Sequence, residues 1–145
     1  MHTLQAGSWG ELSEAARAVR TAVFIDEQGI PEAEEWDADD GDATHVVAFD
    51  PAGLPVATGR LIHVGQASGH AKIGRMAVMR PSRGAGLGAQ VLLVLLDQAR
   101  SQHIREISLH AQLTAQAFYE RYGFQAKGPL FDEVEIPHQW MTLTL

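Results

Sequence analysis

Arg75-Met-Ala-Val-Met-Arg-Pro-Ser-Arg83-Gly-Ala-Gly-Leu-Gly88 runs directly into Ala89-Gln-Val-Leu-Leu-Val-Leu-Leu96. The order is an apolar strand, a basic and glycine-rich turn, then a helix. The first N–H groups of a helix have no partner inside it and carry partial positive charge, so main chain alone can hold an anion there. Gly84, Gly86 and Gly88 let the backbone bend tightly and approach a ligand, while Arg80 and Arg83 add fixed charge beside it. A ligand with a pyrophosphate is the first expectation.

Spacing separates the candidate owners of such a loop. Walker A needs Gly-Lys-Ser/Thr at its end, and no lysine follows Gly88. The dinucleotide fingerprint G-x-G-x-x-G/A is formally met by Gly84, Gly86 and Ala89, but its acid should close a strand about 20 residues on, within a repeated βαβ unit. Glu106 stands near that distance yet begins a strand, and the chain left over is short for a doubly wound sheet. A nicotinamide-binding fold stays open here, and NADH binding would reveal it.

The third pattern, Q/R-x-x-G-x-G/A, is matched by Arg83, Gly86 and Gly88. At this point the chain resembles the GNAT family of N-acetyltransferases, whose members hold the pyrophosphate of acetyl-coenzyme A on this turn. Gln112-Leu-Thr-Ala115-Gln-Ala-Phe-Tyr119-Glu-Arg-Tyr-Gly123-Phe124 is similar to the family's N-x-x-A-x-x-x-Y-x-x-x-G-F block, with Gln112 where Asn is commoner. Three further stretches resemble the ElaA-type branch. They are Arg20-Thr-Ala-Val23-Phe24-Ile-Asp-Glu27-Gln28-Gly29-Ile30-Pro31, then Glu35-Trp-Asp37 with Asp40 and His45, and finally Phe131-Asp-Glu133-Val-Glu-Ile136-Pro137-His138.

The resemblance implies a donor site. The N–H groups of Arg83, Gly84, Ala85, Gly86, Leu87, Gly88 and Ala89 would cradle the phosphates, with Gln112 and Tyr119 in the same cofactor-binding set. Main chain at Met76, Ala77 and Val78 would pair with the pantetheine arm like an added strand. Tyr119 would protonate or stabilise the thiolate that departs when an amine attacks a thioester. A base is also needed, since an amine is protonated near neutral pH. Family members often use a glutamate on the strand before the loop, where this chain has Arg75. Glu27, at the end of the first helix, and His110, on the strand before the Tyr119 helix, are the candidates, beside a bound water.

Composition bounds the rest. A chain of 145 residues fits a single domain spanning 1–145. The net charge of −7 argues against nucleic acid, which needs a basic face. No cysteine is present, which excludes disulfides and an acyl-cysteine intermediate and favours direct transfer in a ternary complex. Met1-His-Thr-Leu-Gln is unlike a signal peptide, and no long apolar run exists, so no membrane and a cytoplasmic location are expected. An exposed edge strand would permit a homodimer.

Periodicity places the elements. Leu4 lies in a short strand, and Ser8-Trp-Gly-Glu11 offers a capping box to a helix reaching Gly29-Ile-Pro31. A polar, acidic segment to Asp42 reads as a long solvated loop. Strands follow over Thr44 to Asp50, Pro55 to Val64 and Ala71 to Met79, with a turn at Gly65 to Gly69. Then come a helix from Gly86 to Gln102, a strand from Ile104 to Ala111, a helix from Thr114 to Tyr122, and strands over Phe124 to Lys127 and Trp140 to Leu145. The order β-α-β-β-β-α-β-α-β-β is α+β, a mixed and mostly antiparallel sheet with helices on both faces.

Acids crowd the segment from Asp26 to Asp42, and no Lys or Arg occurs between Arg20 and Arg60. If this loop lines an acceptor pocket, its field would attract a cationic amine. The expected acceptor-pocket set is Arg20, Phe24, Glu27, Glu35, Asp37, His45, His110 and His138. Asp37-Ala-Asp39-Asp40-Gly41-Asp42 fails as a calcium loop because Ala48 stands where glutamate is required, and no metal is expected. The expected activity is acetyl transfer from acetyl-coenzyme A to a small-molecule or peptide amine. The alternative is a non-catalytic acyl-coenzyme A sensor.

Overall fold

The computed structural model describes residues 1–65 and 69–145. The turn expected at Gly65 to Gly69 contains 66–68 and lies outside the described residues.

Strand β1 (Thr3–Gly7) leads into helix α1 (Trp9–Arg20), whose start is fixed by the reciprocal Ser8 and Glu11 capping box. A short α2 (Glu32–Glu35) follows, then β2 (Thr44–Phe49), β3 (Pro55–His63) and β4 (His70–Val78). The chain continues through α3 (Leu87–Ser101), β5 (Glu106–Gln112), α4 (Gln116–Glu120), β6 (Gln125–Glu133) and β7 (Ile136–Thr144). The strands form one sheet in the order β1-β2-β3-β4-β5-β7-β6, with β4 and β5 the parallel pair. The expected order of elements is met.

Strand alternation puts helices on opposite faces. Val46 and Ala48 of β2 pack with Leu92, Leu95 and Leu96 of α3, whereas Val47 between them packs with Leu12 and Ala16 of α1. Helix α3 lies very close to β3 at Gly59, where a Cβ would stand 2.6 Å from Met76 Sδ and 2.8 Å from Leu95 Cδ1. No larger residue fits there without movement.

One irregularity decides where a ligand can enter. Thr58 pairs with Ala77 and Arg60 with Gly74, so Gly59 alone faces Arg75 and Met76. Arg75 is the extra residue, with φ of 52° in the left-handed region. Such a bulge bends its strand. Strand β4 accordingly pairs with β5 only from His70 to Ile73, and beyond that point the two strands part.

Some expectations are corrected. The first helix does not run regularly to Gly29; from Thr21 to Glu27 it widens into π-type turns, with Gln28 N–H donating to Val23 O at 3.1 Å. The acidic segment is not a solvated loop. It holds α2 and a 3₁₀ turn over Ala38–Asp42, and it buries Glu35 and Asp40 to 2% and 3% exposure because arginines meet them there. Strands β6 and β7 are longer than periodicity predicts. Their turn is made by Val134 and Glu135 at φ 47° and 63°, left-handed positions that usually call for Asn-Gly, so the sequence carries no hairpin signal there.

Candidate active site

The loop between β4 and α3 has the form its sequence implies. Gly84 and Gly86 take φ of 85° and 78°, and Gly86 caps α3 in the left-handed conformation. Gln90 is the first amide in the helical ladder, donating to Gly86 O at 3.1 Å. The N–H groups of Leu87, Gly88 and Ala89 therefore face outward at the helix start. A Cβ built on Gly84 or Gly86 would meet nothing within 4 Å, so the concave side of the turn is open to an anion.

Glu27 is tied to this loop. Its carboxylate accepts from both terminal nitrogens of Arg83 at 2.8 and 2.7 Å and pairs with Arg80 at 3.2 Å, while Arg83 Nε also donates to Val78 O. The Arg83 hydrogen bonds, more than any other influence, hold the Glu27 carboxyl down at about 2. So weak a base is a poor proton acceptor from an amine near neutral pH. Glu27 instead orients the two loop arginines.

Where β4 leaves β5, a cavity of about 390 Å³ opens on the α1 face of the sheet. Met76 and Tyr119 line it toward the loop. The Tyr119 ring packs edge-on against Phe118 and Phe124, and burial pushes its phenol pKa up, so the hydroxyl stays protonated. Gln112 exchanges hydrogen bonds with Gln28 across the cavity rim.

A cluster of three arginines and three acids forms one wall. Arg20 donates to Glu35 at 2.8 Å and Asp40 at 2.7 Å; Arg60 binds Asp37 through two nitrogens and Asp40 at 2.7 Å; Arg75 joins Glu35 to Asp37. The Arg60 hydrogen bonds bring Asp37 to about 2, whereas burial pushes the Glu35 carboxyl up despite its arginines. Three positive and three negative charges cancel. The cation-attracting field expected of this segment is thus spent inside the protein.

The opposite wall carries a histidine and carboxylate pair. His110 Nδ1 lies 2.8 Å from Glu133 Oε1, and since a carboxylate only accepts, the proton is on Nδ1. Burial lowers the His110 pKa, so the ring is neutral at pH 7 and Nε2 carries a lone pair. That Nε2 is buried with no hydrogen-bond partner. Glu133 Oε2 stands 3.7 Å from His138 Nε2, while His138 Nδ1 donates to Ile136 O.

The expected acceptor residues divide accordingly. Phe24, Glu35, Asp37, His110 and His138 line the cavity. Arg20 is 1% exposed and serves the ion cluster from behind, between the rings of Trp9 and Trp36. His45, equally buried, binds Asp40 O through Nε2 and packs on Trp9. Neither reaches the cavity, because both are consumed in fixing the acidic segment. Arg60, Lys72 and Glu133 were not anticipated. A lone basic residue within each apolar run, Arg60 in β3 and Lys72 in β4, was the available signal. Among the described residues no group of three or more His, Asp or Glu is placed to hold a metal ion, and no helix is long and apolar enough to cross a membrane.

The family model described as an acetyltransferase (GNAT) domain matches residues 13–145. A candidate acetyltransferase of Bacillus subtilis (strain 168) is 35% identical over 127 residues, 86% of this chain and 84% of that one. Among solved structures, an acyl-CoA N-acyltransferase from Pseudomonas aeruginosa aligns with a TM-score of 0.86 at 33% identity, covering 98% of this chain and 99% of that one. Escherichia coli ElaA aligns with a TM-score of 0.87 at 28% identity over the same shares.

Proposed function

This chain belongs to the GNAT acetyltransferase family, and on that premise we propose that it acetylates an amine directly, in a ternary complex, with His110 as base and Tyr119 as acid. That it is an acyltransferase follows from the family itself. The observation that carries the finer reading is the splayed junction of β4 and β5, which sets the open glycine loop, Tyr119 and the unpartnered His110 Nε2 around one cavity.

The donor fits the residues present. Outward N–H groups at the start of α3, with Arg80 and Arg83 beside them, suit a pyrophosphate. The edge of β4 over Met76, Ala77 and Val78, unpaired on the β5 side, suits an arm with amide groups. When bound, acetyl-coenzyme A supplies an acyl group already activated as a thioester.

The protein's part is to position and to move protons. The amine nitrogen forms its bond to the acyl carbon as the carbon–sulfur bond breaks. His110 Nε2 takes the proton that the nitrogen sheds, and Glu133 stabilises the imidazolium through Nδ1–H. Tyr119 donates its hydroxyl to the leaving sulfur. The proton gained by His110 offsets the one given by Tyr119, and solvent restores both. No glutamate is needed on the strand before the loop, since a histidine two strand positions beyond Ser108 does its work. We place the protein in the cytoplasm, as a single domain.

Tyr119→Phe tests the assignment. Expected is a fall in kcat of about 10²- to 10⁴-fold with coenzyme A affinity retained, measured as thiol release and by calorimetry. Unchanged turnover would remove Tyr119 from the chemistry. Tight coenzyme A binding by the native protein, with no transfer to any of a broad amine panel, would instead favour a sensor.

A further inference from the structure

Two buried side-chain nitrogens in this protein lack hydrogen-bond partners among the described residues, and both belong to residues lining the same cavity. One is an acceptor, His110 Nε2. The other is a donor, Arg60 Nε, on a side chain only 5% exposed. Buried polar atoms are nearly always paired, so each such orphan needs a reason. A ligand that supplies the missing partners is one.

The floor between them is shaped for access. Gly74 pairs with Arg60 across β3 and β4, and a Cβ placed there would lie 3.9 Å from Arg60 Nε. Glycine leaves that space clear. Two residues before it on the same face stands Lys72, half-buried in the cavity wall, with no hydrogen bond or ion pair. Desolvation lowers the pKa of its ammonium, and Glu133 only partly offsets this. Lys72 pairs in register with Ser108, which puts His110 at the diagonal position, about 7–8 Å away between backbones.

The charge balance is specific. Arg20, Arg60 and Arg75 are matched by Glu35, Asp37 and Asp40, leaving Lys72 and the second face of Arg60 as cationic donors without an anion. Glu34 and Asp39 also line the cavity, but both are exposed at its mouth, where water screens them. A bare amine would satisfy His110 and leave Lys72 and Arg60 Nε unanswered. A carboxylate beside the amine answers all three.

We infer that the acceptor is an amino-carboxylate of the amino acid class, its carboxylate held by Lys72 and Arg60 Nε over Gly74 and its amine presented to His110 Nε2. This rests on the N-acetyltransferase reading and narrows it. The residue types define two ends of the acceptor, while the remaining cavity volume accommodates its side chain.

The test is a panel of free L-amino acids, each beside its own amide and methyl ester, which keep the amine and lose the negative charge. Transfer is read as thiol release, and binding to the enzyme with coenzyme A present is read by calorimetry. At least one free acid should exceed its amide by about tenfold or more in kcat/KM, as expected when charged donors lose their partner. Lys72→Met should raise KM for the free acid by about tenfold while leaving the ester unchanged. Gly74→Ala, whose backbone is ordinary, should weaken the free acid in the same selective way by covering Arg60 Nε. Amides and esters that perform as well as free acids, or a Lys72→Met variant with an unchanged acid-to-ester ratio, would overturn the inference. Lys72-dependent binding of free acids without any transfer would sink the transferase reading and leave this one standing.

Discussion

Replacing Glu133 by glutamine removes the charge opposite His110 Nδ1 while keeping a hydrogen-bond acceptor of nearly the same shape. The native contact is 2.8 Å. Unit charges about 4 Å apart interact by about 4 kcal/mol at an effective dielectric of about 20. The Glu133 side chain is 42% exposed, so solvent screening cuts this to about 1–2 kcal/mol, or roughly one pKa unit on His110. The sign is fixed by the contact: a nearby anion favours the protonated ring, so its loss lowers the His110 pKa further. Burial already holds that pKa below its ordinary value. Since the base must be unprotonated, kcat/KM of the native enzyme should rise with pH on a limb below about 6.5. In Glu133→Gln this limb should move down by about one unit, and the plateau should fall by about 10- to 100-fold because a weaker base, less firmly held in one tautomer, takes the proton. Thiol release across pH 5 to 9 reads both. A variant with the native plateau and the native limb would refute the pairing as a catalytic device, whatever its stability.

Two further outcomes follow from packing and titration. Gly59→Ala forces a methyl against Met76 Sδ and Leu95 Cδ1, and should lower stability by about 1–3 kcal/mol, seen as a thermal midpoint several degrees lower; Gly41→Ala, with nothing nearby, is the control and should not fall. Glu27 and Asp37 are both held down at about 2, below their unfolded values. Their contribution is full above about pH 4.5 and is lost as pH falls toward 2, so the thermal midpoint should decline across that window; a midpoint flat from pH 5 to 2 would contradict the arginine clamps.

The parts of the site that sequence reveals are those built from consecutive residues. The glycine loop and the Tyr119 helix announce themselves because their chemistry is local: fixed spacings, one turn, one helix start. His110 stood out, but its partner Glu133 did not, since the two meet only through the pairing of β5 with β7 and β7 with β6. The same holds for the ion cluster. Nothing in the run from Glu32 to Asp42 says that Glu35 and Asp40 turn inward; that depends on Arg20 and Arg60 arriving from α1 and β3. Glu27 shows the opposite failure, a residue whose position on the helix end suggested a base and whose arginine partners make it a strut. The long β6–β7 hairpin was illegible for a simpler reason, because Val134 and Glu135 occupy left-handed positions without the residues that normally mark them.

The extra residue in β4 has a history written into its geometry. Gly74 and Arg75 both serve the α1 side, Arg75 through Glu35 and Asp37, and beyond them Met76 packs by Gly59 while Ala77 packs with Val19 and Val23. Striking out Arg75 would leave an unbroken alternation in which every other side chain kept its face. A single inserted codon could therefore have prised two strands apart and delivered a guanidinium to the new opening, without turning one core residue outward. Few changes that create an active-site cleft could cost a folded ancestor so little.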